Sequence, residues 1–294
     1  MRNEQEMKAL ILDKAKADER IRAVIMNGSR TNPDAPRDCF QDYDIVYVVR
    51  DVPSFTANHH WVDQFGKRII MQMPDLMDIG NGLGDIAKDK FAYLMLFDDG
   101  NRIDLTLMTL ERAKEWVNGD SLSIILLDKD RQFASVPSSD DRDYRMIPPS
   151  AKQFVDCCNE FWWVSPYVAK GLWRGEIPYA KTMLEHYVRE MLLKMLGWHA
   201  GVRTNFTVSA GKCGKYLSRY VEKSVWQSYL LTYPDAEPEH IWQSLFQMGN
   251  LFRILAKQVA DHFGYIYATA DDQRVSAYLK HVHDLPSDAK QIYY

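Results

Sequence analysis

Two consecutive prolines, Pro148 and Pro149, divide the chain into halves that cannot fold the same way. Proline fixes φ, lacks an amide hydrogen and drives the preceding residue into extended backbone. No helix or central strand therefore runs through Met146–Ser150, MIPPS. Before it, short apolar runs alternate with polar stretches. After it, apolar residues recur at helical spacing. Phe154, Val155, Cys158, Phe161 and Trp162 lie on one face of a helix, and Met183, Leu184, Tyr187, Val188, Met191 and Leu192 repeat that pattern. Ile241–Phe263 reads as a third long helix. Two domains are expected, 1–147 and 148–294, the second all-helical.

The first half opens with a polar helix over about Gln5–Glu19. Six short runs follow that are rich in β-branched and aromatic residues: Ile21–Met26, Asp44–Val49, Arg68–Met73, Phe91–Phe97, Arg102–Met108 and Ser123–Asp128. Asp98–Asn101, DDGN, joins two of them and predicts a hairpin. Thr109–Asn118 reads as a helix between strands. Strands mixed with helices, a hairpin among them, predict an α+β (α/β mixed) domain with a mixed sheet.

Composition narrows the function. No run of about 18 apolar residues exists to span a bilayer, and the polar N-terminus lacks the apolar core of a signal peptide. A cytoplasmic protein is expected. Cys39, Cys157, Cys158 and Cys213 lack the spacing of a zinc or redox motif and are expected to be reduced and mostly buried. The net charge is −4, which disfavours nucleic acid as a partner. Residues 1–145 carry 20 Lys+Arg against 26 Asp+Glu, the remainder 16 against 14. An acidic first half suits metal ions or a cationic substrate. His59-His60 and His281/His283 have no partner at metal-ligand spacing.

Two acids stand at the head of a strand that should be buried. Asp42 and Asp44 are two residues apart, so on a strand they share a face, roughly 7 Å apart. Such a pair needs solvent, protonation or a cation, and Mg²⁺ suits an all-oxygen site. Asp104 lies inside the apolar run Arg102–Met108, where an acid needs a partner or a task; Arg102 and Thr106 share its face. Beside the strand carrying Asp44, it would complete a carboxylate triad. Gly28-Ser29 ends the first run. A glycine there lets backbone approach a phosphate, the hydroxyl and turn amides can donate to it, and Arg30 adds charge.

Strand, Gly28-Ser29, Asp42-x-Asp44 and a later strand acid, Asp104, together resemble the nucleotidyltransferase superfamily related to polymerase β. The stretches NGSRTNP, QDYDIVYVV and NEFWWVSPYVAKGLWRGEIPYAK are similar to the aminoglycoside 6-adenylyltransferases, also called streptomycin adenylyltransferases, over nearly the whole chain. The resemblance implies a nucleotidyltransferase domain with a mixed, mostly antiparallel sheet and flanking helices, then a helical substrate-binding domain. It implies transfer of AMP from ATP to a hydroxyl of an aminoglycoside, the 6-hydroxyl of streptomycin first, with release of pyrophosphate and antibiotic resistance as the outcome. Other acceptors (another aminoglycoside, a nucleotide, a protein or an RNA end) and a non-catalytic nucleotide-binding module are the alternatives.

Under that resemblance Asp42 and Asp44 hold metal, two Mg²⁺ ions being expected. Asp104 is a third ligand, the general base, or both. Gly28, Ser29 and Arg30 hold the triphosphate. Further cations come from the second domain: Lys170 first, one helical turn from Arg174, and Lys212, which with Lys215 flanks a glycine turn. AGKCGK is not a P-loop, because Ser209 and Tyr216 stand where that motif needs glycine and Ser/Thr. Trp162, Trp163, Trp173 and Glu185 are the candidates for a cationic aminoglycoside. The expected partners are small molecules, with no membrane, and the chain is expected to be a monomer.

Overall fold

All six apolar runs form strands: β1 (Ile21–Asn27), β2 (Tyr43–Val49), β3 (Arg68–Gln72), β4 (Lys90–Phe97), β5 (Arg102–Met108) and β6 (Ser123–Asp128). The computed structural model describes residues 1–82, 88–133 and 136–293. The strands make one sheet in the order β3-β4-β5-β2-β1-β6. Neighbours are antiparallel except for β2 and β5, which run parallel. The sheet is therefore mixed and mostly antiparallel. DDGN closes the β4–β5 hairpin, with Gly100 at φ +83° and Phe97 N donating to Asn101 O at 2.9 Å.

The central strands read as unbroken apolar runs because both faces are covered. Val24, Met26, Ile45 and Tyr47 pack with Met7 and Ile11 of the helix Glu4–Ala17. Ala23, Ile25, Val46 and Val48 pack with Ala113 and Val117 of the helix Leu110–Asn118. Each large aliphatic side chain buried this way contributes roughly 1.5–3 kcal/mol. The Tyr47 hydroxyl, inside the first layer, donates to Ile11 O at 2.6 Å. The Glu4–Ala17 helix starts in a capping box between Asn3 and Glu6.

The chain forms two compact units, Met1–Asp143 and Tyr144–Tyr294. The expected division at 147/148 falls in the extended stretch ahead of the first helix of the second unit. That helix, Ala151–Trp173, is capped by Ser150 with Gln153 completing the box. The Pro149 carbonyl accepts from the Tyr265 hydroxyl at 2.9 Å. The second unit is helical. Its core centres on Phe161 stacked on Phe252 with ring centroids 3.9 Å apart, the latter from the helix Pro238–Phe263. The expected helix through Met183–Leu192 is not regular. Met183–Val188 makes a wider π turn before the helix Arg189–Thr204 begins.

Cys157 and Cys158 are buried, while Cys39 and Cys213 are exposed, so burial holds for half of the cysteines. Among the described residues no helix is long and apolar enough to cross a membrane.

Candidate active site

Strand register decides which acids meet. Asp44 on β2 lies directly opposite Asp104 on the parallel β5, and opposite Asn27 on β1. Asp42 immediately precedes β2. Gly28–Arg30 forms a single 3-10 turn at the end of β1. The six residues expected to form the core of the site in the first half thus come from three adjacent strand ends.

Gly28 is required by that convergence. Its φ is +72°, a region L side chains rarely adopt, and a Cβ there would lie 2.1 Å from Asp44 Oδ2. The glycine thus makes room for a carboxylate, a role the sequence did not reveal. Thr31 fastens the turn: its hydroxyl lies 2.9 Å from Gly28 O and 2.8 Å from Leu122 O. Ser29 is half-buried, and among the described residues no group takes up its hydroxyl.

Arg30 does not point outward, as a phosphate ligand would. Its guanidinium donates to Asp42 O at 2.9 Å and Gln41 O at 2.8 Å. It also lies 3.8 Å from the Tyr43 ring centre, and its side chain is only 8% exposed. Arg30 ties the Gly-Ser turn to the loop carrying Asp42. Glu4, from the first helix, stands 3.6 Å away as its counter-ion.

The electrostatics follow from crowding. Burial, then Asp104 and Asp42, pushes the Asp44 carboxyl up to about 6, against the pull of Arg102 and Arg30. Burial also raises the Asp42 carboxyl, with Asp104 adding to it and Arg102 and Arg30 opposing. Arg102 grips Asp104 with two hydrogen bonds of 2.7 Å each, and its remaining nitrogen is 3.6 Å from Asp42 Oδ2.

Asn27 is a site residue the sequence did not single out. It is buried, and its amide, oriented to satisfy its neighbours, donates to Asp44 O at 3.1 Å and accepts from Trp116 Nε1 at 3.0 Å. Its only signal in the sequence was its place just before Gly28.

The donor set fits a hard cation. It is all carboxylate oxygen, and Asp44 is held high by burial and then by Asp104 and Asp42, whose repulsion a cation would relieve. Among the described residues no three acidic, His or Cys side chains converge closely enough to hold a metal ion by themselves.

The candidates in the second unit do not gather in one place. Lys170 is half-buried, 4.9 Å from the Tyr167 ring centre and 5.9 Å from that of Tyr179. With Trp173, Arg174 and Lys290 it lines a cavity of about 310 Å³. Trp173 Nε1 donates to Leu285 O at 3.2 Å. Trp162 is buried and donates to the Tyr267 hydroxyl at 3.1 Å, whereas Trp163 is 63% exposed. Both line a second cavity, of about 410 Å³, with Asp271. Glu185 sits in the π turn, paired with Arg189 and with Lys181. Lys212 is exposed on a 3-10 turn, Lys212–Gly214.

Known proteins are similar to this chain over most of its length. A family model described as streptomycin adenylyltransferase matches residues 1–282. The aminoglycoside 6-adenylyltransferase of Bacillus subtilis (strain 168) is 44% identical over 273 residues, 92% of this chain and 95% of the relative. That of Campylobacter jejuni is 41% identical over 279 residues, 95% of each. That of Staphylococcus aureus is 33% identical over 268 residues, 91% of this chain and 94% of the relative. A solved structure, an aminoglycoside 6-adenyltransferase from Bacillus subtilis, is 38% identical, covers 97% of this chain and 100% of its own, and superposes with a TM-score of 0.48. The family match takes in the Gly-Ser turn, all three acids and most of the helical unit, and the chain belongs to the streptomycin adenylyltransferase family.

Proposed function

We propose that this nucleotidyltransferase moves AMP from ATP to the 6-hydroxyl of streptomycin and releases pyrophosphate. The observation that carries the reading is the register that sets Asp104 opposite Asp44, beside the Gly28-Ser29 turn. Family membership and the names of the relatives, aminoglycoside 6-adenylyltransferases, support the acceptor.

In this reading the acceptor hydroxyl forms a bond to the α-phosphorus, and the bond from that phosphorus to the bridging oxygen of pyrophosphate breaks. Asp42 and Asp44 hold Mg²⁺. Bound there, the ion supplies positive charge to phosphate oxygens as the transition state forms. Asp104 takes the hydroxyl proton, or shares in holding the ion. The Ser29 hydroxyl and the amides of its turn donate to the triphosphate. Gly28 keeps that turn against Asp44, and Arg30 holds the Asp42 loop to it. The acidic first unit and the exposed Trp163 suit a guanidinium-bearing acceptor. Lys170, Lys212, Trp162, Trp173 and Glu185 complete the proposed contacts of the helical domain.

The test is purified protein with ATP, Mg²⁺ and streptomycin, followed by pyrophosphate release and by the mass of the antibiotic. The expected product is streptomycin carrying one AMP, its position read by NMR. Pyrophosphate release with another acceptor but none with streptomycin would overturn the acceptor. Full turnover in Asp42→Asn would overturn the site.

A further inference from the structure

Two arginines stand at the carboxylates, and they are held in opposite ways. Arg30 is 8% exposed and locked by two backbone carbonyls and the Tyr43 ring. The Arg102 side chain is 42% exposed. Among the described residues its guanidinium hydrogen-bonds only to Asp104 and forms ion pairs only with Asp104 and Asp42. Its partners are thus acids that the proposed reaction needs for metal and proton. A guanidinium and a divalent ion cannot share those oxygens without strong repulsion. Removing the guanidinium with nothing in its place would leave crowded carboxylates unneutralised, which is also costly.

We propose that Arg102 is an exchangeable counter-ion. It neutralises Asp42 and Asp104 while the site lacks nucleotide. It gives them up when a divalent ion enters with a nucleoside triphosphate, whose phosphate oxygens take the released guanidinium. Phosphate is a good acceptor for it, because the planar fork matches two oxygens at once. The half-exposed side chain has solvent beside it to move into once those bonds are given up, as Arg30 has not. Metal and nucleotide then bind with positive coupling, and the coupling is reciprocal. This inference rests on the nucleotidyl-transfer reading of the site.

The experiment uses the full chain and Mn²⁺ as the probe, with free Mn²⁺ measured by electron paramagnetic resonance. Titrations are run with and without α,β-methylene ATP, on the natural protein and on Arg102→Met. The natural protein is expected to bind Mn²⁺ weakly alone and more tightly with the analogue. Arg102→Met is expected to bind Mn²⁺ alone about tenfold more tightly, and the analogue should then add less. A residue that merely braced the strand would weaken metal binding on removal, the opposite sign. Arg102→Met binding Mn²⁺ no more tightly than the natural protein would overturn the exchange. Arg102→Lys should return to weak binding, and its behaving like the methionine variant would also overturn it. Arg102→Gln repeats the neutral test should Arg102→Met fail to fold. Absence of Mn²⁺ binding to the natural protein even with the analogue would instead bring down the metal-site reading, and the exchange with it.

Discussion

Asp44 is expensive to keep ionised, and that cost is measurable. Its folded carboxyl is raised to about 6, above the ordinary carboxylate value. A raised acid favours the fold while protonated. Its contribution is present below about pH 4 and is lost as pH rises through about 6. The loss is at most about 3 kcal/mol. Asp44→Asn should therefore abolish adenylyl transfer and, in metal-free buffer at pH 7.5, unfold at a higher urea concentration than the natural protein. The gap between the two proteins should narrow as pH falls and nearly close at pH 4. Urea titrations at both pH values with EDTA check the sign. An Asn variant less stable at pH 7.5 would mean that Asp44 is held by favourable contacts rather than strained by burial. Gly28 gives a second prediction. Gly28→Ala forces a left-handed alanine, roughly 1–2 kcal/mol, and drives a methyl into the Asp44 carboxylate. In a double-mutant cycle with Asp44→Ala, the cost of Gly28→Ala should shrink toward the backbone share alone. Additive costs would show that the close approach carries no energy.

Strands and turns place these residues, and Arg30 is the fastener between two of them. It bridges the turn after β1 and the loop before β2 through the Asp42 and Gln41 carbonyls. Arg30→Met leaves those carbonyls without a donor, at roughly 1–3 kcal/mol. The expected result is lower stability without any nucleotide, measured by thermal unfolding, together with reduced kcat. A triphosphate ligand would behave differently: KM for ATP would rise while the unliganded protein kept its stability. Here the limit of sequence reading is plain. A basic residue after Gly-Ser suggests phosphate, and nothing along the chain says that it turns back onto a backbone twelve residues away. The same holds for the π turn at Met183–Val188. Its spacing reads as ordinary helix, yet the backbone widens there, and buried Arg189 just beyond it bonds both Glu185 and Thr232 O, the latter at 2.6 Å. The six strands were legible because apolar runs and Asp-Gly turn chemistry are local signals.

At the level of the full chain, ligand binding should report on the fold. Mg²⁺ with a non-hydrolysable ATP analogue binds only the native state, so it raises stability by about 2.7 kcal/mol at a hundredfold excess over Kd. Calorimetry should show a higher Tm with both present and little shift with the analogue in EDTA. An equal shift in EDTA would argue that the acids do not hold a cation for the nucleotide. The charge difference between the two halves points the same way, since the acidic half carries the proposed cation site.

Local patterning was enough for the sheet-forming half, the helical half, the proline break between them and the residue types of the site. Those follow from backbone propensity and apolar periodicity, which act over a few residues. The pairing of Asp44 with Asp104 needed β2 and β5 to run parallel in one register across 60 residues of chain. The role of Gly28 needed a distance to a side chain on the next strand, and the opposite states of Arg30 and Arg102 needed their neighbours in space. Charge and contact act through distance in three dimensions, and only the folded sheet sets those distances.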